Sequence, residues 1–214
     1  MNRVLMQLRQ CGGADDVRVN LPQPRYADKA DIVVSGEGLS HKMAEQLDNT
    51  LIETAEYVPQ ARVLNIRFTE HALFAAIANW SDEVLTARYR LPTGEELFYS
   101  VQYAHYRARH LAADNQHWDC DIKAARKLAV ALVLFAQQMH NCKELDDFKQ
   151  VLTGFVQIYN HWHESLLQNR AANIHSLRSG QTNGELTQKE AIQYPVSSAL
   201  LARATAMALQ NAIS

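Results

Sequence analysis

Cysteine is scarce: Cys11, Cys120 and Cys142 are the three in 214 residues, and no two of them form a C-x-x-C pair. An odd, scattered set argues against a disulfide framework or a zinc clasp and fits reduced thiols in a cytoplasmic protein. Excess charge of one sign is also missing. A formal net charge of -2 excludes a polycationic coat for nucleic acid, so any anion binding must come from a local patch. Long hydrophobic runs are absent too. MNRVLMQLRQ offers only Val4-Leu5-Met6 before polar residues return, too little for an export signal, and the most apolar later stretch, Leu128 to Ala136, falls far short of a membrane span. The expectation is a soluble cytoplasmic chain with no membrane partner. No G-x-S-x-G, phosphate loop, dinucleotide fingerprint or H-x-E with C-x-x-C is present. The His105/His110 and Asp119/Asp121 pairs have no spacing that chemistry demands. No enzyme and no cofactor are expected.

What remains is ordinary globular composition, 47% hydrophobic and 21% charged, enough for a real core. Residues 1–38 read as a partly extended N-terminal arm, with Gly12-Gly13, Pro22, Pro24 and Gly36-Glu37-Gly38, and a short strand at Ile32-Val33-Val34. Residues 39–169 read as a helical domain. Its first helix starts at an N-cap, Ser40, with Met43, Leu47, Leu51 and Ile52 on one face, and ends before Pro59. Glu95 and Glu96 suit the start of a helix reaching about Ala113. Two long helices follow. One runs from Asp121 to about Met139 with the stripe Ile122, Leu128, Leu132, Phe135 and Met139. The other runs from Glu144 to about Asn169 with Leu145, Phe148, Leu152, Phe155, Tyr159, Trp162 and Leu166. Residues 170–214 read as a linker, rich in Asn, Ser and Gly to 186, and a C-terminal helix opened by Pro195.

One stretch departs from this helical pattern. Val63-Leu64-Asn65-Ile66-Arg67-Phe68 alternates, with Leu64, Ile66 and Phe68 on one face and Asn65 and Arg67 on the other. Thr69 is a natural N-cap, and a helix from Glu70 to about Asn79 carries the stripe Leu73, Phe74 and Ile77. Ser81-Asp82-Glu83 signals a second helix, with Val84, Leu85 and Tyr89 toward the core. A lone strand leaves its backbone groups unpaired. Pairing two copies antiparallel would satisfy the ladder and display two Asn65 and two Arg67 side chains in a ribbon that fits the DNA major groove. Free amides near Ser81 would hold a phosphate. The same strand could instead pair with Ile32-Val33-Val34, or with Leu97 to Tyr103, in a small sheet that leaves Arg67 solvated.

The segment LNIRFTEHALFAAIANWSDEV resembles the ribbon-helix-helix transcriptional regulators, the group that includes the Arc and MetJ repressors. The resemblance covers residues 63–90. It implies a mainly α-helical protein with a strand-helix-helix unit whose strand pairs across a homodimer, or within a tetramer, and a role as a sequence-specific regulator bound to double-stranded DNA. Asn65 and Arg67 take the base-reading places. Thr69, Ser81, Arg62, Arg88 and Arg90 become candidate phosphate contacts, and Leu64, Ile66, Phe68, Leu73, Phe74 and Ile77 the dimer core. The chain departs from the family in having Asn79-Trp80-Ser81 where glycine is common in the turn. In size and helical content it is similar to the AcaB-type regulators of conjugative plasmids, which implies activation of conjugative-transfer genes. The alternative is a non-catalytic helical interaction or accessory protein.

Two further motifs stand out. Tyr103-Ala-His-Tyr-Arg-Ala-Arg-His110 mixes aromatic and basic residues without an acid and, with Arg88 and Arg90, suggests a phosphate-gripping face. Around a helix its residues spread widely, which favours an ordinary solvated face. His161-Trp162-His163-Glu164 invites a metal site. Residues two apart on a helix point in different directions, so none is expected. Arg3, Arg9 and Arg25 are the cations an embracing arm would use.

Overall fold

The computed structural model describes residues 17–22, 29–47, 49–78, 89–114, 121–178 and 198–213. The chain divides into two compact units, Met1–Ala76 and Ile77–Ser214. The expected segmentation at 38/39 and 169/170 therefore differs from the division observed, which falls at residues 76/77.

The first unit is built on a four-stranded antiparallel sheet: β1 (Arg18–Asn20), β2 (Ile32–Ser35), β3 (Ile52–Val58) and β4 (Val63–Phe68), in the order β1-β2-β4-β3. β4 is thus an interior strand. Its Asn65 lies in register between Val33 and Glu56, and its Ile66 between Ile32 and Ala55. Both hydrogen-bonding edges are occupied within the chain, so pairing of this strand with a second copy, the arrangement expected for a ribbon-helix-helix dimer, has no free edge to use. Of the partners weighed from sequence, Ile32-Val33-Val34 is one neighbour. Leu97 to Tyr103 is helical. The other neighbour, β3, was expected to be helix.

That expectation failed for a physical reason. Ser40 does cap a helix, its side chain accepting from the Met43 amide, but α1 spans only His41–Gln46. The apolar spacing Met43, Leu47, Leu51 imitates a longer helix. The residues beyond it, Ile52, Thr54, Tyr57 and Val58, are the β-branched and aromatic types that suit a pleated surface. β3 turns into β4 through Pro59–Arg62, where Ala61 N–H donates to Val58 C=O and Arg62 N–H to Pro59 C=O. Arg62 closes the turn with φ at 52°, a left-handed conformation that few non-glycine residues adopt.

The alternation read in β4 holds. Leu64 and Ile66 are fully buried and Phe68 nearly so, joined by Ile32, Val34, Ile52, Leu39, Met43 and Leu47 in the core of this unit. α1 lies against β3. Asp31 ties the sheet's end together. Its backbone N–H donates to Ile66 C=O at 2.8 Å, and its buried carboxylate accepts from Phe68 N–H at 2.7 Å. Thr69 then caps α2 (Glu70–Ala78), accepting from the Ala72 amide at 3.2 Å. Leu73 and Ile77 are buried as expected. Phe74's side chain, and residues 81–88 of the second helix expected from Ser81 through Tyr89, lie outside the described residues; Tyr89 and Arg90 are not helical.

The second unit is helical: α3 (Glu96–Ala113), α4 (Ile122–Asn141), α5 (Leu145–Arg178) and α6 (Ser198–Ile213). The expected starts are close. Asp121 caps α4 by accepting from the Ala124 amide at 2.8 Å, and Asp147 accepts from the Lys143 and Glu144 amides at the head of α5. The stripes from Leu128 to Met139 and from Phe148 to Leu166 are buried, and the Phe135 and Phe155 rings meet at 4.5 Å. The exceptions both open their helices: Ile122 is about half exposed and Leu145 only partly buried. α5 continues through residues 170–178, expected to be linker. Pro195 lies outside the described residues. α3 packs chiefly along α6. It contributes the small buried face Val101, Ala104 and Ala108, and α6 is itself rich in buried alanine. No helix among the described residues is long and apolar enough to cross a membrane.

Replacing Asp31 tests the sheet's closure. Asp31→Ala removes this acceptor from the buried Phe68 amide and should cost roughly 1–3 kcal/mol in urea unfolding, with reduced hydrogen-exchange protection at that amide. Asp31→Asn keeps an acceptor and should recover part of it. An alanine variant as stable as wild type would show that the bond contributes nothing.

Candidate nucleic-acid interface

The residues proposed to read bases share one face of the sheet but not the geometry of a ribbon. Asn65 and Arg67 are half-buried on the interior strand. Arg67 Nε donates to the Glu53 carboxylate at 3.0 Å, an ion pair rather than a solvated cation. By register the same face carries Arg18 and Asn20 on β1, Val33 and Ser35 on β2, and Thr54 and Glu56 on β3. Two arginines meet two glutamates there, so the face offers no positive field. Width decides the matter. Four strands at about 4.8 Å spacing span about 14 Å between outer axes, before side chains are added. The major groove is about 12 Å wide. This face cannot enter a groove as a two-stranded ribbon does.

The candidate phosphate contacts that are described belong to both units. Thr69 spends its hydroxyl on the cap of α2 and on Thr50 C=O. Arg62 stands in the β3–β4 turn of the first unit, while Arg90 is exposed in the second. Ser81, Arg88, Arg3, Arg9 and Arg25 lie outside the described residues.

α3 gathers what the sheet does not. Its buried face is Val101, Ala104 and Ala108. Helical spacing therefore turns Tyr99, Gln102, Tyr103, Tyr106, Arg109 and His110 outward together. All six are exposed, and the three tyrosines keep 59–61% of their surface open. From Leu97 to Ala113 there is no acidic residue. The spread anticipated for this segment is narrower than expected because His105, which would widen it, turns partly inward. Tyr106 and His110 stack edge to face at 5.3 Å, stiffening the stripe.

Arg107 borders this face and anchors it. Its guanidinium lies 4.4 Å from the Tyr103 ring centroid and 5.6 Å from that of Tyr159, donates to Asn160 Oδ1, and approaches His163 Nδ1 at 3.4 Å. Every one of these partners is neutral. Tyr159, Trp162 and His163 are buried, whereas His161 is exposed, so the two histidines of His161-Trp162-His163 face different surroundings. Burial, reinforced by Arg107 and opposed by Glu164, lowers the His163 pKa. Burial and then Arg109 lower that of His105. Burial raises the Tyr159 phenol. With Arg107 as donor, His163 Nδ1 must accept, which keeps the ring neutral. In the sequence the aromatic-basic run of α3 and the His161-Trp162-His163 run are separate features. The side-chain contact joining them spans 56 positions and has no local signal.

No protein-family model, curated protein or solved structure matches this chain.

The lowered histidines set a pH dependence. A folded-state pKa below the usual 6.5 means that the unfolded chain takes up the proton first as pH falls. The contribution is complete above 6.5 and is lost as pH drops from there toward the folded values. The thermal midpoint should therefore fall between pH 7 and 5, and fall less steeply in His163→Gln. Parallel slopes for the two proteins would show that His163 contributes nothing to it.

Proposed function

We propose that this protein is a sequence-specific DNA-binding regulator of transcription whose groove-facing element is α3, not the strand β4. The observation carrying this reading is the acid-free exposed face Tyr99, Gln102, Tyr103, Tyr106, Arg109 and His110. A single α-helix fits the major groove. Glutamine and arginine are among the side chains that bond adenine and guanine bidentately. Tyrosine hydroxyls and arginine also contact phosphates, which fixes register. A chain of net charge -2 needs such a local patch to attract DNA at all. Regulators that use one helix in this way commonly act as dimers on paired half-sites. Two copies of this chain would meet through a surface other than the occupied strand β4.

A second reading, a helical module that docks another protein, is favoured by the three open tyrosines, because tyrosine and arginine dominate binding hot spots. Salt and substitution separate the two.

Selection from random-sequence DNA followed by mobility shift at two salt concentrations tests the proposal. Wild type should bind selected DNA with an affinity that falls steeply with salt. Arg109→Ala and Gln102→Ala should each weaken specific binding by about 1–3 kcal/mol while leaving the fold intact. Arg67→Ala should bind as wild type. Absence of selected DNA, or variants on α3 that bind unchanged, would overturn the reading and leave the protein-docking role.

A further inference from the structure

Along α3, Glu96, Tyr99, Tyr103, Tyr106, His110 and Ala113 follow one another at intervals of three, four, three, four and three residues, and all are exposed. That spacing is a heptad seam, the pattern by which one helix packs lengthwise on another. It runs along the side of α3 opposite the buried Val101, Ala104 and Ala108. We infer that a second copy of the chain covers this seam, α3 against α3 in antiparallel orientation, around a two-fold axis between Tyr103 and Tyr106. Such a pair hides the face proposed above to meet DNA. Only that consequence rests on the DNA-binding reading; the pairing itself does not.

The sequence of the seam selects the orientation. In an antiparallel pair Tyr103 meets Tyr106 of the second copy, Tyr99 meets its His110, and Glu96 meets its Ala113, one turn from its Arg109. The acidic first turn of each helix then lies beside the basic end of the other, and the two helix dipoles oppose. A parallel pair would set Glu96 against Glu96 and align the dipoles. The flanking positions agree with the antiparallel choice. Arg107 falls opposite Ser100 and Arg109 beside Gln102, so no like charges are forced together. The surface is thus complementary to itself, as a two-fold contact requires.

The surface is also large enough and partly ordered. With 59–61% of each tyrosine open, the six rings of two copies offer roughly 700 Å². Glu96, Gln102, Arg109 and His110 beside them bring a closed pair to about 1,200 Å², the lower end of specific interfaces. Each ring already has a neighbour that restricts it: Phe98 edge-on to Tyr99 at 5.8 Å, the Arg107 guanidinium over Tyr103 at 4.4 Å, and His110 edge-on to Tyr106 at 5.3 Å. Side chains restrained before contact lose less entropy on making it.

Sedimentation velocity of the full chain without DNA, over a wide concentration range, tests the pairing. A reversible monomer–dimer equilibrium is expected, with its midpoint at micromolar chain concentration. Tyr103→Ser and Tyr106→Ser should each raise that midpoint by about tenfold or more with unchanged circular dichroism. Glu96→Arg and Arg109→Glu should each weaken the dimer, and the double variant, which exchanges the two charges, should recover most of the loss. A parallel pair gives no such recovery, because the two positions then stand about 20 Å apart along the helices. A monomer at millimolar concentration would overturn the inference and leave the tyrosines to a partner of another kind. A dimer that the tyrosine variants leave unchanged, or charge exchange without recovery, would overturn it as well. No arm contains DNA, so failure here is distinct from failure of the mobility-shift test.

Discussion

Backbone pairing along β4 is the constraint on which the first unit depends. A strand's amides and carbonyls must find partners, and here β2 and β3 take one edge each. Once that happens, the apolar alternation of Leu64, Ile66 and Phe68 fixes which face is buried, because a one-residue slip would reverse it. Asp31 closes the end of the strand and Thr69 converts its exit into a helix. The same pairing removes the strand from contention as a dimer ribbon. The outer strands are then β1, only three residues long, and β3, where a register shift at Glu53 and the charges of Glu53 and Glu56 make a poor template for further pairing.

Local rules made most of the helices legible. Ser40, Thr69 and Asp121 each cap the helix expected of them, because a cap is a contact between residues three apart and leaves a sequence signal. The stripes on α4 and α5 were legible for the same reason. β3 was not, since a short strand beside a short helix shares its apolar residues with either period. Nor was the topology. Whether Val63–Phe68 pairs with itself across a dimer or with strands from its own chain is decided by partners up to 34 residues away, on which alternation is silent: Ile32, for example, stands opposite Ile66. The resemblance to ribbon-helix-helix proteins rests on that alternation, on the Thr69 cap and on a second helix signalled at Ser81, which lies outside the described residues. A small antiparallel sheet followed by a helix satisfies the alternation and the first cap equally well.

The candidate interface shows the converse. The sequence of α3 contains its exposed residues in plain view, but which of them point outward depends on what α3 packs against. Its small face along α6 settles this: with Val101, Ala104 and Ala108 inward, the tyrosines have nowhere to go but out. A helix whose large residues are exposed and whose small residues are buried inverts the usual amphipathic pattern. Three large aromatic surfaces left in solvent forgo the free energy of their burial within the fold. That free energy remains available to an intermolecular contact.

Arg107 shows how the second unit supports such a surface. A half-buried guanidinium that meets no carboxylate among the described residues is costly, and here its partial compensation comes from two tyrosine rings, an amide oxygen and a neutral imidazole. A glutamate in place of Asn160 would satisfy the arginine better and cancel its field. Neutral partners hold the side chain in position while leaving its charge unneutralised at the border of the α3 face. The arrangement has a consequence for His163, whose protonation would place a second cation against the first, so the positive border of α3 and the acid sensitivity of its foundation come from one contact. A chain that carries net negative charge can thus keep one locally positive helix, provided that the residues beneath it remain uncharged.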